Sequence, residues 1–273
     1  MYSKGANSIV PSQATPMAIH HHFSTIAKRY RNLRTTDLEP ITMVVRELKK
    51  LARIEGIDVG CGAGRYDLLL YRYLGDMLRL TCVDANDYML EELDKYLMKH
   101  GISNFNSMHS EAEHLLFPSN ALDCVCTLNA VHHFNMPEFL RESYRILKNG
   151  GYLFIYTRLH EQNGRNIWGR YFPKFHLKET RLYTLDTLMK LVAESNLHIK
   201  SIEYFKYGRT STLAQLIKRA REHHYSTFSL YSSEELEEAI TRFKQNIMSE
   251  FEDTNQIRWL DENVLFIVRK EVD

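Results

Sequence analysis

A glycine-rich turn after a short apolar run restricts the fold of this chain more than any other feature. Residues 56–67 read GIDVGCGAGRYD, in which an acid closes the apolar run and glycine follows at Gly60, Gly62 and Gly64. Such a turn lets the main chain approach a polar ligand, because no side chain stands between them. It predicts the first strand, loop and helix of an open α/β sheet.

Short apolar runs alternate with amphipathic stretches along most of the chain, as is typical of a mostly parallel sheet covered on both faces. The predicted strands are Arg53–Val59, Leu78–Asp84, Phe105–His109, Leu122–Leu128, Tyr152–Thr157, Ile199–Tyr207 and Val264–Val268. The predicted helices are His20–Arg34, Leu38–Ala52, Arg65–Leu74, Asn86–Lys99, Pro137–Leu147 and Leu185–Ser195, with two more near Ser211–Arg221 and Ser233–Phe251. The sequence therefore predicts an α/β fold.

Residues 208–258 are predicted to form an inserted helical lid. They are too many for a simple connection between strands and too regularly patterned for a disordered segment. Residues 18–207 and 259–273 are expected to form the ligand-binding domain with its N-terminal helices, and residues 1–17 a flexible tail.

The charge balance argues against some classes of partner. The 273 residues include 35 Lys and Arg against 34 Asp and Glu, so the formal net charge is only +1 and nucleic acid is an unfavourable partner. No apolar run approaches the roughly 18 residues of a membrane span, and the N-terminus lacks a secretory signal, so a cytoplasmic monomer or homodimer is expected. The four cysteines lack Cys-x-x-Cys spacing and are expected to be reduced core residues.

The spacing within the turn separates two kinds of ligand. A dinucleotide site uses G-x-G-x-x-G, whereas Arg65 stands here in place of the third glycine. Asp58, two residues before the first glycine, would repel a pyrophosphate. An acid at that point suits a ligand that carries an ammonium and a sulfonium.

The run DVGCGAG resembles motif I of class I S-adenosylmethionine-dependent methyltransferases. HSEAEHLLF, LDCVCTLNAVHHF and ESYRILKNGGYLFI follow in the order found in the ubiquinone and menaquinone methyltransferase-like (type 11) group, so the resemblance covers about residues 20–158. It implies a Rossmann-like sheet of seven strands with the last antiparallel, with S-adenosylmethionine as methyl donor and S-adenosylhomocysteine as product. Glu111 and Leu116 depart from the family's usual Asp and Pro.

The resemblance also implies roles for individual residues. Asp84, at the end of the second strand, would accept hydrogen bonds from the ribose hydroxyls, while Glu111 would accept one from the adenine amino group. The full set of predicted cofactor residues is Tyr30, Arg34, Asp58, Gly60, Cys61, Gly62, Gly64, Asp84, Ala85, Met89, Glu111, Ala112, Asn129 and Ala130. For Tyr30 and Arg34, packing and a surface charge are an equally good interpretation.

Catalytic and substrate residues are less constrained by the pattern. His133 could accept a proton during methyl transfer, although it and His132 could instead hold the loop after the fourth strand. Trp168, Arg170, Tyr171 and Phe172 could line a substrate pocket or could pack a cap onto the sheet. No metal site is expected, because the adjacent histidines at residues 20–22 point in different directions on a helix.

Three interpretations of function remain. The first is in-line methyl transfer to a small molecule, with positioning as the protein's main contribution. The second is a catalytically silent protein that binds S-adenosylmethionine and acts through a partner. The third is an RNA or protein methyltransferase, which the neutral charge and the absence of an N-P-P-Y-like stretch after the fourth strand make less favourable.

Overall fold

The computed structural model describes residues 23–271, so the predicted tail and the histidines at residues 20–22 lie outside the described residues. The strands are β1 Ile54–Val59, β2 Leu78–Asp84, β3 Phe105–His109, β4 Leu122–Leu128, β5 Leu147–Thr157, β6 His198–Ser211 and β7 Ile257–Arg269. They form one sheet of seven strands in the order β3-β2-β1-β4-β5-β7-β6. β7 runs antiparallel to both neighbours, which confirms the predicted fold class.

Helices connect the strands and cover both faces of the sheet. The α-helices are α1 Tyr30–Leu33, α2 Glu39–Leu48, α3 Asp67–Leu74, α4 Asp87–Lys99, α5 Met136–Ile146, α6 His160–Asn163, α7 Ile167–Tyr171, α8 Phe175–Lys178, α9 Leu185–Glu194, α10 Leu213–Arg221 and α11 Ser233–Glu250. One core cluster joins the sheet to α2, α3 and α4, and a second joins its other face to α5 and α9. No helix within residues 23–271 is long and apolar enough to cross a membrane.

Several predicted boundaries differ from those observed. The first helix is interrupted by a 3-10 turn at Ala27–Arg29 and ends at Leu33, and the second ends at Leu48 rather than Ala52. β6 and β7 are longer than predicted, because polar residues alternate with apolar ones along a hairpin whose outer strand is at the sheet edge. The strands therefore extend into both ends of the predicted lid.

A separate helical cap lies at the edge of the sheet where β5 and β6 end and β7 begins. Residues 212–256 supply α10, a 3-10 helix at Ser226–Leu230 and α11, and the short helices α6 to α8 precede them in sequence. Trp168, Phe172, Phe228 and Phe243 belong to one buried cluster that joins these segments. The cap thus has its own apolar core.

Candidate active site

One cavity of about 1330 Å³ lies between the carboxyl ends of the strands and the cap. The loops after β1, β2, β3, β4 and β5 all contribute to its wall. Ligand sites usually have volumes of roughly 300–1,000 Å³, so this cavity has room for more than one small molecule.

The glycine loop after β1 has a backbone that other residues would strain. Gly60 and Gly62 have φ of +74° and +56°. A Cβ on Gly60 would lie 2.4 Å from Ala130 Cβ, and one on Gly62 would lie 3.3 Å from Tyr30 Cε1. Tyr30 therefore lies directly against the loop, and the main chain of Gly62 is kept free of a side chain where it faces the cavity.

Asp84 is held in the wall directly beside this loop. Its carboxylate accepts hydrogen bonds from the main-chain N–H groups of Gly62 and Asn86, both at 2.9 Å. Burial raises the pKa of Asp84 to about 6, although these two donors act in the opposite direction. Asn86 in turn caps α4 by accepting from the Met89 N–H at 3.2 Å. The start of α4 is thereby fixed against the cavity.

Asp58 lies beneath the loop and not in the cavity wall. Its residue is 1% exposed, and Asp67 is fully buried beside it. Burial, and then the neighbouring Asp67, raise the pKa of Asp58 well above its usual range. Cys82 Sγ donates to Asp67 Oδ1 at 3.2 Å. The negative charge expected from Asp58 is therefore suppressed in the free protein, and its contact with the cofactor stays a prediction.

Asn129 and Ala130 bring main-chain groups to the end of β4. Asn129 has a left-handed φ of 65°, a conformation that asparagine tolerates better than most residues. Its side chain donates to Tyr66 Oη and accepts from Asn263 Nδ2, each at 3.2 Å. These bonds orient the turn so that both residues line the cavity.

Most of the predicted site residues reach the same cavity. Those in its wall are Tyr30, Arg34, Gly60, Gly62, Asp84, Ala85, Met89, Glu111, Ala112, Asn129, Ala130, His133 and Trp168. Those outside it are Asp58, Cys61, Gly64, Arg170, Tyr171 and Phe172. Phe172 is 2% exposed within the cap cluster, and Arg170 lies over the Tyr171 ring. For these last three residues the position favours cap packing, and their substrate role stays a prediction.

His132 and His133 are uncharged groups in the cavity wall. Their ring centroids are 4.0 Å apart, and neither Nδ1 has a hydrogen-bond partner among residues 23–271. Burial is the main cause that lowers the pKa of both imidazoles well below their usual range, and Arg181 adds to this effect. Both can accept a hydrogen bond near neutral pH, but both are weak bases.

The predicted site residues did not include a group of basic side chains in the same wall. Arg158 follows β5, Arg181 precedes α9, Arg209 is on β6 and Arg219 is on α10. Two of them had a usable signal: Arg158 is a polar residue directly after a buried strand, and Arg181 is in the aromatic and basic stretch of residues 168–184. The others come from segments whose sequence does not reveal which way they face.

The sheet order, the antiparallel β7 and the glycine loop bonded to Asp84 are those of the class I S-adenosylmethionine-dependent methyltransferase fold. Residues 57–155 match the family model described as "Methyltransferase domain". This match supports the class I S-adenosylmethionine-dependent methyltransferase that the motifs predicted.

Relatives and solved structures agree with this assignment. Demethylmenaquinone methyltransferase from Listeria welshimeri is 27% identical over 143 residues, which are 50% of this chain and 60% of that protein. The chain thus spans about three fifths of that relative. The YcgJ protein of Bacillus subtilis is 17% identical with a TM-score of 0.62, covering 87% of this chain and 100% of that one. Geranyl diphosphate C-methyltransferase from Streptomyces coelicolor, in complex with S-adenosylhomocysteine, is 14% identical with a TM-score of 0.52. The match covers 84% of this chain and 79% of that one.

The match to the methyltransferase domain supports S-adenosylmethionine as the cofactor, as the motifs predicted. The wall fits it, because the side-chain-free Gly62 faces a carboxylate that can accept hydrogen bonds from a ribose. Within residues 23–271 no three His, Cys, Asp or Glu side chains are grouped so that they could hold a metal ion.

Proposed function

We propose that this protein transfers the methyl group of S-adenosylmethionine to a small-molecule acceptor bound beneath the cap. The observation that carries this proposal is the single cavity that continues from the glycine loop to the cap and exceeds the usual volume of one ligand site. A cap with its own apolar core suits a small acceptor better than a polymer, which needs an open groove. The acceptor named for the menaquinone relative is also a small organic molecule.

The cofactor supplies a methyl group already activated by a positively charged sulfur. The proposed task of the chain is to hold donor and acceptor in line and to exclude water, and positioning of this kind can contribute about 7–11 kcal/mol. Asp84 would hold the ribose and Glu111 the adenine, while the main chain at Asn129 and Ala130 would contact the methionine part. Tyr30 would close over the loop that it already contacts.

His133 is the proposed proton acceptor only where the substrate loses its proton during or after methyl transfer. Its pKa is lowered well below the usual range, so it is neutral and available but too weak to ionise an acceptor in advance. An acceptor that is already ionised would need no base.

The experiment compares two glycine variants with wild type. S-adenosylhomocysteine should raise the melting temperature of wild type, and NAD should not; at 100 times its Kd a ligand stabilises by about 2.7 kcal/mol. Gly62→Ala should lose this shift, because its Cβ meets Tyr30. Gly75→Ala should keep it, since Gly75 has a similar φ of +55° but no neighbour within 4 Å.

Turnover is then measured with labelled cofactor and a panel of quinols, phenols, amines, thiols and organic acids. Transfer to a panel member that is lost in Gly62→Ala supports the proposal. Silence towards both S-adenosylhomocysteine and the whole panel would refute it.

A further inference from the structure

We infer that the methyl acceptor is an organic anion, whose carboxylate or phosphate group binds between Arg34, Arg158 and Arg181 at the cap end of the cavity. This inference rests on the proposed function and adds to it the chemical class of the acceptor. All three side chains line the cavity, and they come from the N-terminal segment, the loop after β5 and the segment before α9.

Arg34 is a cation with no counter-charge in the part of the chain that the structure describes. No Asp or Glu oxygen lies within 4.0 Å of its guanidinium there, and its buried Nε has no hydrogen-bond partner. The guanidinium carbon instead lies 5.3 Å from the ring centroid of Tyr30 and 5.0 Å from that of Tyr225. Two aromatic rings thus fix its orientation and leave its N–H donors to a ligand.

Arg158 and Arg181 are held in place by acids. Arg158 pairs with Asp261 at 3.4 Å, and its guanidinium carbon is 5.4 Å from the Tyr225 ring centroid. Arg181 pairs with the buried Glu179 and donates to Ser226 Oγ at 3.1 Å. Its Nη1 is buried and makes no hydrogen bond within residues 23–271. Each acid therefore positions a guanidinium without using all of its donors.

Arg34 and Arg158 lie over the same Tyr225 ring, and all three arginines line the cavity together with His132. Burial is the main cause that lowers the pKa of His132 and of His224, and nearby arginines add to it: Arg181, Arg34 and Arg158 for His132, and Arg34, Arg219 and Arg158 for His224. Nδ1 of both histidines is buried and makes no hydrogen bond to any described residue. A buried polar atom left unsatisfied costs about 1–3 kcal/mol, so a ligand that supplies acceptors here recovers that cost. Planar guanidinium groups match the two oxygens of a carboxylate or phosphate.

The bound cofactor alone would not neutralise the arginines of the cavity wall. Asp84, Glu111 and Glu113 line the wall at the ends of β2 and β3, whereas the other acids in the wall, Asp37, Glu179 and Asp261, are each paired with an arginine. The single carboxylate of S-adenosylmethionine can pair with one cation. Arg65 and Arg219 are also in the wall, and neither has a carboxylate within 4.0 Å among residues 23–271. The bound cofactor brings a sulfonium and an ammonium, which increase the positive charge.

The test uses the full chain saturated with S-adenosylhomocysteine. The probes are matched pairs of an acid and its neutral amide or alcohol, namely benzoate with benzamide, decanoate with decanamide and phenyl phosphate with phenol, and inorganic phosphate alone. Binding is followed by calorimetry, and transfer by labelled S-adenosylmethionine. At least one acid should bind about tenfold or more tightly than its neutral partner. The pairs distinguish a carboxylate from a phosphate.

Substitutions test whether these arginines cause the preference for the acid. Arg34→Gln and Arg181→Gln should each abolish the preference for the acid, whereas Arg242→Gln, on the exposed outer face of α11, should keep it. Because Arg181→Gln leaves the buried Glu179 without its cation and with only the Thr227 hydroxyl as a side-chain donor, Arg181→Lys is the second variant. It should fold and restore part of the preference for the acid. Affinity for S-adenosylhomocysteine is measured separately for each variant, so that a lost acceptor site is distinguished from a lost cofactor site.

Equal binding of acids and neutral partners, or no binding by any probe, would overturn the inference, as would an unchanged preference in Arg34→Gln and both Arg181 variants. Methylation of neutral acceptors by a chain that binds S-adenosylhomocysteine would overturn this inference alone. Failure to bind S-adenosylhomocysteine would instead refute the proposed function.

Discussion

At the end of β2, Asp84 combines a buried carboxyl group with two main-chain donors. Burial dominates and raises its pKa from 3.8 to about 6. The folded state therefore holds this proton more tightly than the unfolded chain does, so ionisation of Asp84 reduces stability as the pH rises from 3.8 to about 6. A ligand that donates hydrogen bonds to the ionised carboxylate offsets this cost.

Affinity for S-adenosylhomocysteine should therefore increase with pH between about pH 5 and about pH 6.5, because the ionised carboxylate accepts the ribose hydroxyls best. The rise should approach tenfold per pH unit below the pKa and level off above it. Asp84→Asn should bind more weakly with a flat profile, and calorimetry across this range measures both. Parallel profiles for the two proteins would show that another group titrates.

Single residues differ in how far the sequence predicts them. Asp84 and Ala130 follow strands that end at one edge of a parallel sheet, so topology alone brings them to the cavity. Burial and contact with Asp67 on α3 raise the pKa of Asp58, and the local sequence around Asp58 encodes neither of them. Arg34 and Arg181 reach the same cavity only through the tertiary fold, and no local pattern encodes that placement.

At the scale of elements, the sequence predicts only some of the helices of the cap. Its long helices α10 and α11 have amphipathic periodicity and begin with capping boxes, so the sequence predicts them. The helices α6, α7 and α8 have at most five residues each, too few for a periodic pattern. They pack against the inserted segment through the aromatic cluster of Trp168, Phe172, Phe228 and Phe243, whose members are far apart in sequence.

Phe243 tests whether that cluster holds the cap together. It is fully buried, and its ring centroid is 5.3 Å from those of both Trp168 and Phe172. Phe243→Ala should destabilise the cap by about 3–5 kcal/mol, because it leaves a cavity among aromatic rings. Hydrogen exchange should then accelerate in residues 212–256 while the amides of β1 and β4 stay protected.

Tyr204→Ala is the control for Phe243→Ala, since Tyr204 is 59% exposed on β6 and its loss creates no cavity. Faster exchange throughout the sheet in Phe243→Ala would mean that the cap and the sheet unfold as one cooperative unit.

At the scale of the whole molecule, one chain of buried charges joins segments from both ends of the sequence. Asp37, before α2, accepts from Arg209 Nη2 at 2.6 Å and from Tyr156 Oη at 2.9 Å. Arg209 also bonds to Asp261 at 3.3 Å, and Asp261 pairs with Arg158. The N-terminal segment, β5, β6 and β7 are thereby tied together beside the cavity.

Asp37→Asn should lower the free energy of unfolding by about 1–3 kcal/mol, because it removes a charge-assisted bond to Arg209 and leaves that guanidinium with Asp261 alone. Asp37 is 8% exposed, so water can replace little of the lost interaction. Urea denaturation measures the change, with Glu237→Gln as the control, since the Arg221–Glu237 pair is on the cap surface and should contribute nothing measurable. An equal effect of the two substitutions would mean that the buried network does not stabilise the joint between the N-terminal segment and the sheet.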